Sequence, residues 1–182
     1  GPVLSFYKKP DISYYGGDRD EPMIVAGGLS GYTVYGTSYA APWVSRKLSF
    51  LIQKIGMSRE VAKALLIDSA ISWENKKIAL NKIGYGILPK KIEDIINSSN
   101  DEIKFFINGS SRAHKTYNFN LPLPQENNEF PYVVKTTLVS FPECSRNHGV
   151  DYTNTELNLR IGMLNKTSVK TVNDDLQNVG GY

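Results

Sequence analysis

Apolar positions recur along the chain with two different periods, and the change between them divides it. Ala40, Ala41, Val44, Leu48, Leu51, Ile52 and Ile55 follow i, i+3, i+4 spacing and predict one buried face of a helix. Gly56 is its stop signal. Ser58 caps a second helix with Glu60 in its first turn, and Val61, Ala62, Leu65, Leu66 and Ala70 supply the packing face. Gly84-Tyr85-Gly86 then predicts a turn before a third helix, with Pro89 at its first position and Ile92, Ile95 and Ile96 inward. Ahead of these helices, residues 1–35 read as loops and short strands. Met23 to Ala26 is expected to be a short buried strand ended by Gly27-Gly28.

At Ser98-Ser99-Asn100 the period becomes two. Ile103, Phe105 and Ile107 alternate with Lys104 and Phe106, as do Tyr117, Phe119 and Leu121 with Asn118 and Asn120, and Leu157, Leu159, Ile161 and Met163 with Asn158, Arg160 and Gly162. Strands separated by Asn108-Gly109, residues 122–131 and residues 142–149 predict a small antiparallel β domain of sandwich type. The expected organisation is therefore an α/β part over 1–98 and a β-sandwich over 99–182. Residues 173–182, polar and glycine-containing, are expected to be loosely ordered.

Totals narrow the partners. The chain has 182 residues and a net charge of +3, and its apolar runs are too short to span a membrane. The lysines at 76, 77, 82, 90 and 91 are interleaved with helix and turn residues, which fits a solvated face rather than a nucleic-acid surface. One cysteine, Cys144, allows neither an internal disulfide nor a CxxC metal site, so a reducing compartment is expected. Asp18, Asp20 and Glu21 offer fewer carboxylates than a full calcium site needs and read as a solvated loop. No metal or other cofactor is implied.

The chemistry concentrates in Gly36-Thr37-Ser38-Tyr39-Ala40-Ala41-Pro42, at the start of the first helix. Small residues around Ser38 admit another side chain to its hydroxyl, and the free N–H groups of a first turn stabilise nearby negative charge. Pro42 is expected in that first turn, where its missing N–H costs nothing. The plain structural alternative makes Thr37 or Ser38 an ordinary N-cap.

The whole run resembles the nucleophile motif of subtilisin-like serine peptidases, Gly-Thr-Ser-x-Ala-x-Pro, through Gly36, Thr37, Ser38, Ala40 and Pro42. Lys9-Pro10-Asp11-Ile12 followed by Gly16-Gly17 is similar to the Lys-Pro-Asp run upstream of that motif, with Tyr14-Tyr15 where many members carry Ala-Pro. Gly84-Tyr85-Gly86 is similar to the run before the family's last helix, so the likeness spans about Lys9 to Asn97. It implies a serine endopeptidase acting on polypeptides, with Ser38 as nucleophile and its backbone N–H in the oxyanion hole.

A serine also needs a histidine base oriented by an aspartate. In the resembling family both precede the nucleophile. His114 and His148 follow Ser38 and read as loop residues, and Asp11 does not match the catalytic aspartate motif. The resemblance therefore implies a carboxy-terminal portion, inactive alone, whose partner residues come from an upstream part of the same peptidase. Ala41-Pro42-Trp43-Val44, Arg46-Lys47, residues 58–70 and residues 151–157 are further similar to a bacterial intracellular subgroup encoded beside AAA-type ATPases and associated with phage defence. That subgroup implies a cytoplasmic location and an ATPase partner. The competing expectation is a non-catalytic docking or regulatory module in which Ser38 serves packing.

Overall fold

A computed structural model describes residues 9–71, 80–112, 115–120, 133–144, 147, 157, 159, 162–164 and 169–171. It divides into two compact units, Gly1–Val139 and Ser140–Tyr182. The division falls later in the chain than the change of period at Ser98-Ser99-Asn100.

In the first unit, strands β1 (Met23–Gly27) and β2 (Ser30–Val34) form an antiparallel hairpin with Met23 opposite Val34 and Gly27 opposite Ser30. Gly28, at φ 59, and Leu29 make the two-residue connection. Only β1 was expected, and as a buried strand. Its residues instead alternate between half-buried and exposed, with Ile24 79% exposed, because it lies in a two-stranded ribbon with an open face.

Helix α1 (Thr37–Gln53) follows, then α2 (Arg59–Ser69), and the short helices α3 (Leu80–Ile83) and α4 (Glu93–Ile96). Leu51, Ala62, Leu66, Leu88 and Ile95 form the central core, with Val44, Leu48, Ile52, Leu65, Ile92 and Ile96 packed around it. Burying a side chain of this size contributes roughly 1.5–3 kcal/mol. Ala41 and Ile55, expected on the buried face of α1, are exposed: Ala41 is not among the residues packed on the core, and Ile55 lies beyond Ile52, the last residue of the stripe that is.

Helix ends follow the chemistry of their residues. Gly56, at φ 82, reverses the chain after α1 so that Met57 N–H reaches the Leu51 carbonyl at 3.1 Å. Ser58 caps α2 by accepting from Val61 N–H at 3.3 Å. Pro89 does not start a helix. α4 begins at Glu93, and residues 90–92 form a bend between them.

The segments that flank the helices are joined by backbone pairing. Ile87 bridges Ser13 in parallel and Ile71 in antiparallel sense. Ser13 N–H donates to the Gly86 carbonyl at 2.8 Å, Leu88 N–H to the Ser13 carbonyl at 3.0 Å, and Tyr85 N–H to the Asp11 carbonyl at 2.8 Å. Gly84 makes this approach possible. A Cβ there would lie 2.4 Å from the Asp11 carbonyl oxygen, and its φ of 66 is itself unfavourable to other residues.

Beyond Asn97 the described residues return to α2. Asn108 Nδ2 donates to Ser58 Oγ at 3.4 Å, Thr137 Oγ1 donates to Asp68 Oδ1 at 2.9 Å, and Lys135 Nζ donates to the Asp68 carbonyl. A cation at the carboxyl end of α2 also complements its dipole. Residues 103–107 and 117–120 join no ladder among the described residues. In the second unit β3 (Gly162–Leu164) pairs antiparallel with β4 (Val169–Thr171). His114, His148, Lys76, Lys77, Leu121, Asn158, Arg160, Ile161, residues 151–156 and residues 173–182 lie outside the described residues.

Two outcomes follow from these contacts. Gly84→Ala is expected to destabilise the protein by about 2–4 kcal/mol, combining backbone overlap with an unfavourable φ, as read by urea unfolding. Asp11 is ion-paired to Lys9 at 2.7 Å and Lys63 at 3.2 Å. Burial alone would raise its pKa, but hydrogen bonding to Lys9 and the charges of Lys63 and Lys9 hold it below the ordinary value. Its stabilising contribution is therefore present above about pH 4, the unfolded value, and lost as pH falls through the lower folded one. Unfolding curves from pH 7 to pH 2 should show Asp11→Asn less stable than wild type at neutral pH and the gap closing below about pH 4.

Candidate functional site

β2 ends at Val34, and after Tyr35 and Gly36 the chain enters α1. Gly36 is the N-cap, at φ 137 and ψ 162, and makes no side-chain capping bond. That region of conformational space is essentially restricted to glycine. Thr37 and Ser38 thus occupy the first two helical positions, and neither is the cap that the plain alternative assigned to them.

The serine is exposed, as are Thr37, Tyr39 and Pro42, while Ala40 is buried. Tyr39 N–H closes back on the Gly36 carbonyl at 3.0 Å. At the first turn, helix geometry gives the N–H groups of Thr37 and Ser38 no intrahelical acceptor. No acidic residue stands in that turn, so no neighbouring carboxylate neutralises the positive end of the dipole. An exposed hydroxyl beside unsatisfied donors suits chemistry in which negative charge develops on a bound group.

Pro42 lies inside α1, not in its first turn. The helix starts at Thr37, earlier than the apolar stripe alone indicated, which moves Pro42 into the second turn. A residue there ordinarily donates to the carbonyl four positions back, which is that of Ser38. Proline has no such donor, so this carbonyl lacks its usual helical bond.

The turn is held from one side by Gly16. Gly36 N–H donates to the Gly16 carbonyl at 2.8 Å, and a Cβ on Gly16 would fall 2.7 Å from the Gly36 carbonyl oxygen and 3.4 Å from the Ala40 Cβ. Ala40, the small residue of the motif, is thus small where the chain packs against Gly16. The sequence reading of Gly16-Gly17 as turn formers covers Gly17, whose φ is 74, but misses the close approach at Gly16. Only a pairing between segments some twenty residues apart (roughly one connection plus a hairpin) reveals it.

The neighbouring acidic loop is a local turn. Asp18 Oδ1 accepts from Asp20 N–H at 2.9 Å and Glu21 N–H at 2.7 Å, and Tyr15 Oη donates to the Glu21 carbonyl. Asp11 is engaged with Lys9 and Lys63, as described above, and does not join Ser38. His114 and His148 are outside the described residues.

With this geometry in view, comparison with known families gives one result. Residues 1–86, a little under half the chain, match the model of the subtilase family. The match contains Gly36, Thr37, Ser38, Ala40 and Pro42 and ends at Gly86 of the Gly84-Tyr85-Gly86 turn. Neither a curated protein nor a solved structure gives a match. The matched portion is subtilase-like.

The two glycines of the turn make separable demands. Gly36→Ala is expected to cost about 1–3 kcal/mol from backbone strain alone, since nothing lies within 4 Å of the Cβ it would add. Gly16→Ala, which meets the opposing backbone, should shift amide exchange protection at Gly36 as well as global stability. Unchanged protection at Gly36 in Gly16→Ala would contradict the assigned contact.

Proposed function

We propose that this chain is the nucleophile-bearing portion of a subtilisin-like serine endopeptidase that hydrolyses peptide bonds by acyl transfer. The observation that carries the reading is the exposed Ser38 at the second position of α1, within a subtilase-matched segment and a complete nucleophile motif. Ser38 Oγ attacks the scissile carbonyl carbon, the carbonyl π electrons move onto oxygen, and the Ser38 N–H is one donor to that oxyanion. A histidine base takes the Oγ proton and returns it to the departing amine as the C–N bond breaks, leaving an acyl-enzyme that water then hydrolyses.

The base, the aspartate that orients it and a side-chain oxyanion donor are assigned to residues outside these 182. Asp11 is committed to lysines, and both histidines follow the nucleophile, outside the subtilase match. A cytoplasmic bacterial setting, an AAA-type ATPase partner and a role in phage defence extend the same proposal through the subgroup resemblance, with residues 99–182 as the proposed partner-facing part. Exposure of Ser38 argues against the docking-module alternative, which requires the serine for packing.

A fluorophosphonate probe tests the assignment. The full-length protein should label in a single step that Ser38→Ala abolishes, whereas the purified 182-residue chain should show no serine-dependent peptide turnover. Labelling that survives Ser38→Ala excludes this serine as the nucleophile.

A further inference from the structure

Lys47 is buried, at 7% exposure, on the same helix as Ser38. Lysines are rarely buried so completely, because an ammonium group removed from water must find compensating partners. Its Nζ donates to the Lys90 carbonyl and lies 5.7 Å from the centroid of the Tyr14 ring. Burial pushes its pKa down, with Glu93 and Asp94 pulling it up and Arg46 adding to the depression. The residue that supplies this carbonyl makes a similar contact with the next tyrosine, Lys90 Nζ lying 6.0 Å from the Tyr15 ring centroid. Two lysines from different elements thus flank two consecutive tyrosines, and the next residue is Gly16, whose carbonyl receives the Gly36 N–H.

Resting on the reading of Ser38 as nucleophile, we propose that Lys47 is a positioning residue for it, acting through the Tyr14–Gly16 segment. The two residues are on the order of 13 Å apart along α1, at 1.5 Å rise per residue, so Lys47 touches neither the serine nor its substrate. It holds Tyr14 against the carboxyl-side half of α1. Gly16, two residues on, then meets Gly36 in register with the start of the same helix. The segment behaves as a strap fixed to α1 at two points, and the upper point is the turn that aims Ser38. Glycine at 16 and 36 makes the upper contact close but provides no side chain to lock it. The lower contact supplies that lock through a cation, a carbonyl and an aromatic face.

Saturation kinetics of fluorophosphonate labelling on the full-length protein separate this role from a merely structural one. Lys47→Met keeps most of the aliphatic stem and removes the charge. It should lower the maximal inactivation rate on the order of tenfold while leaving the half-saturating probe concentration unchanged, measured well below its unfolding temperature. Tyr14→Leu should do the same, and the double variant should be no slower than either single one, because both remove the same lock. Wild-type inactivation rates in folded Lys47→Met overturn the proposal, and if that variant does not fold, wild-type rates in Tyr14→Leu do so. Additive losses in the double variant overturn the route through Tyr14. Absence of Ser38-dependent labelling in the wild type removes the nucleophile reading and this inference together, whereas normal labelling of both variants removes the inference alone.

Discussion

The site depends on one backbone contact, the approach of Gly16 to Gly36. Their hydrogen bond is 2.8 Å long and there is no room for a Cβ on the Gly16 side. Everything that gives Ser38 its character lies immediately after this contact: the glycine-only conformation of Gly36, the first helical turn and the buried Ala40. A side chain at Gly16 would push the helix start away from the segment that steadies it, and one at Gly36 would strain the backbone that leads into the helix. In a site whose chemistry relies on direction, displacement on the scale of a methyl group is enough to matter. The small residues are therefore best understood as a conformational requirement at Gly36 and a packing requirement at Ala40 that together place a hydroxyl.

A second glycine contact does the same for the fold. Gly84 lets the Gly84–Leu88 segment run against residues 10–13, and Ile87 then links Ser13 to Ile71. The residue after each contact enters a paired or packed element: Tyr85 N–H bonds to the Asp11 carbonyl, and Leu88 is buried in the core formed with α1 and α2. One continuous stretch, from Lys9 to Gly17, thus meets the segment after α3 at one end and the turn before Ser38 at the other. This gives the upstream Lys-Pro-Asp resemblance a physical content, because that stretch carries the connection between the two.

Much of this was legible in the residues, and the misses have physical causes. The buried faces of α1 and α2 followed from spacing, and so did the stop at Gly56 and the cap at Ser58. Ser38 draws attention in the sequence because five defined positions of a seven-residue run carry a specific pattern. Lys47 does not, although it sits three residues after Val44 and four before Leu51, on the apolar stripe itself. A charged residue on a stripe is normally read as reaching for solvent, and only the tertiary placement of Tyr14 and the Lys90 carbonyl shows where it goes instead. Proline is best tolerated at helix starts, which is the position expected for Pro42 and Pro89, yet one lies within α1 and the other precedes a bend. Strand β2 gives no clear sequence signal because Ser30, Gly31 and Thr33 dilute its apolar pattern, while its pairing depends on β1. The converse holds at 103–107: period two describes which faces residues take in a strand but supplies no partner.

These placements also explain how α1 can be firm at one end and unburdened at the other. Its amino end has no side-chain cap, no acidic residue in the first turn and a proline that leaves the Ser38 carbonyl without its helical donor. Each omission removes stabilisation of ordinary size, about 1 kcal/mol for a cap and about 3 kcal/mol or more for an interior proline. The carboxyl half offsets them with fully buried Leu51, half-buried Leu48 and Ile52, and closure by Gly56. A helix weighted in this way opens first at its amino end unless something outside it intervenes. Gly16 supplies that restraint by backbone contact, so the donors and the hydroxyl stay exposed without the turn being filled by a capping side chain. Replacing the restraint by a conventional cap would recover stability at the expense of the open space around the Ser38 hydroxyl.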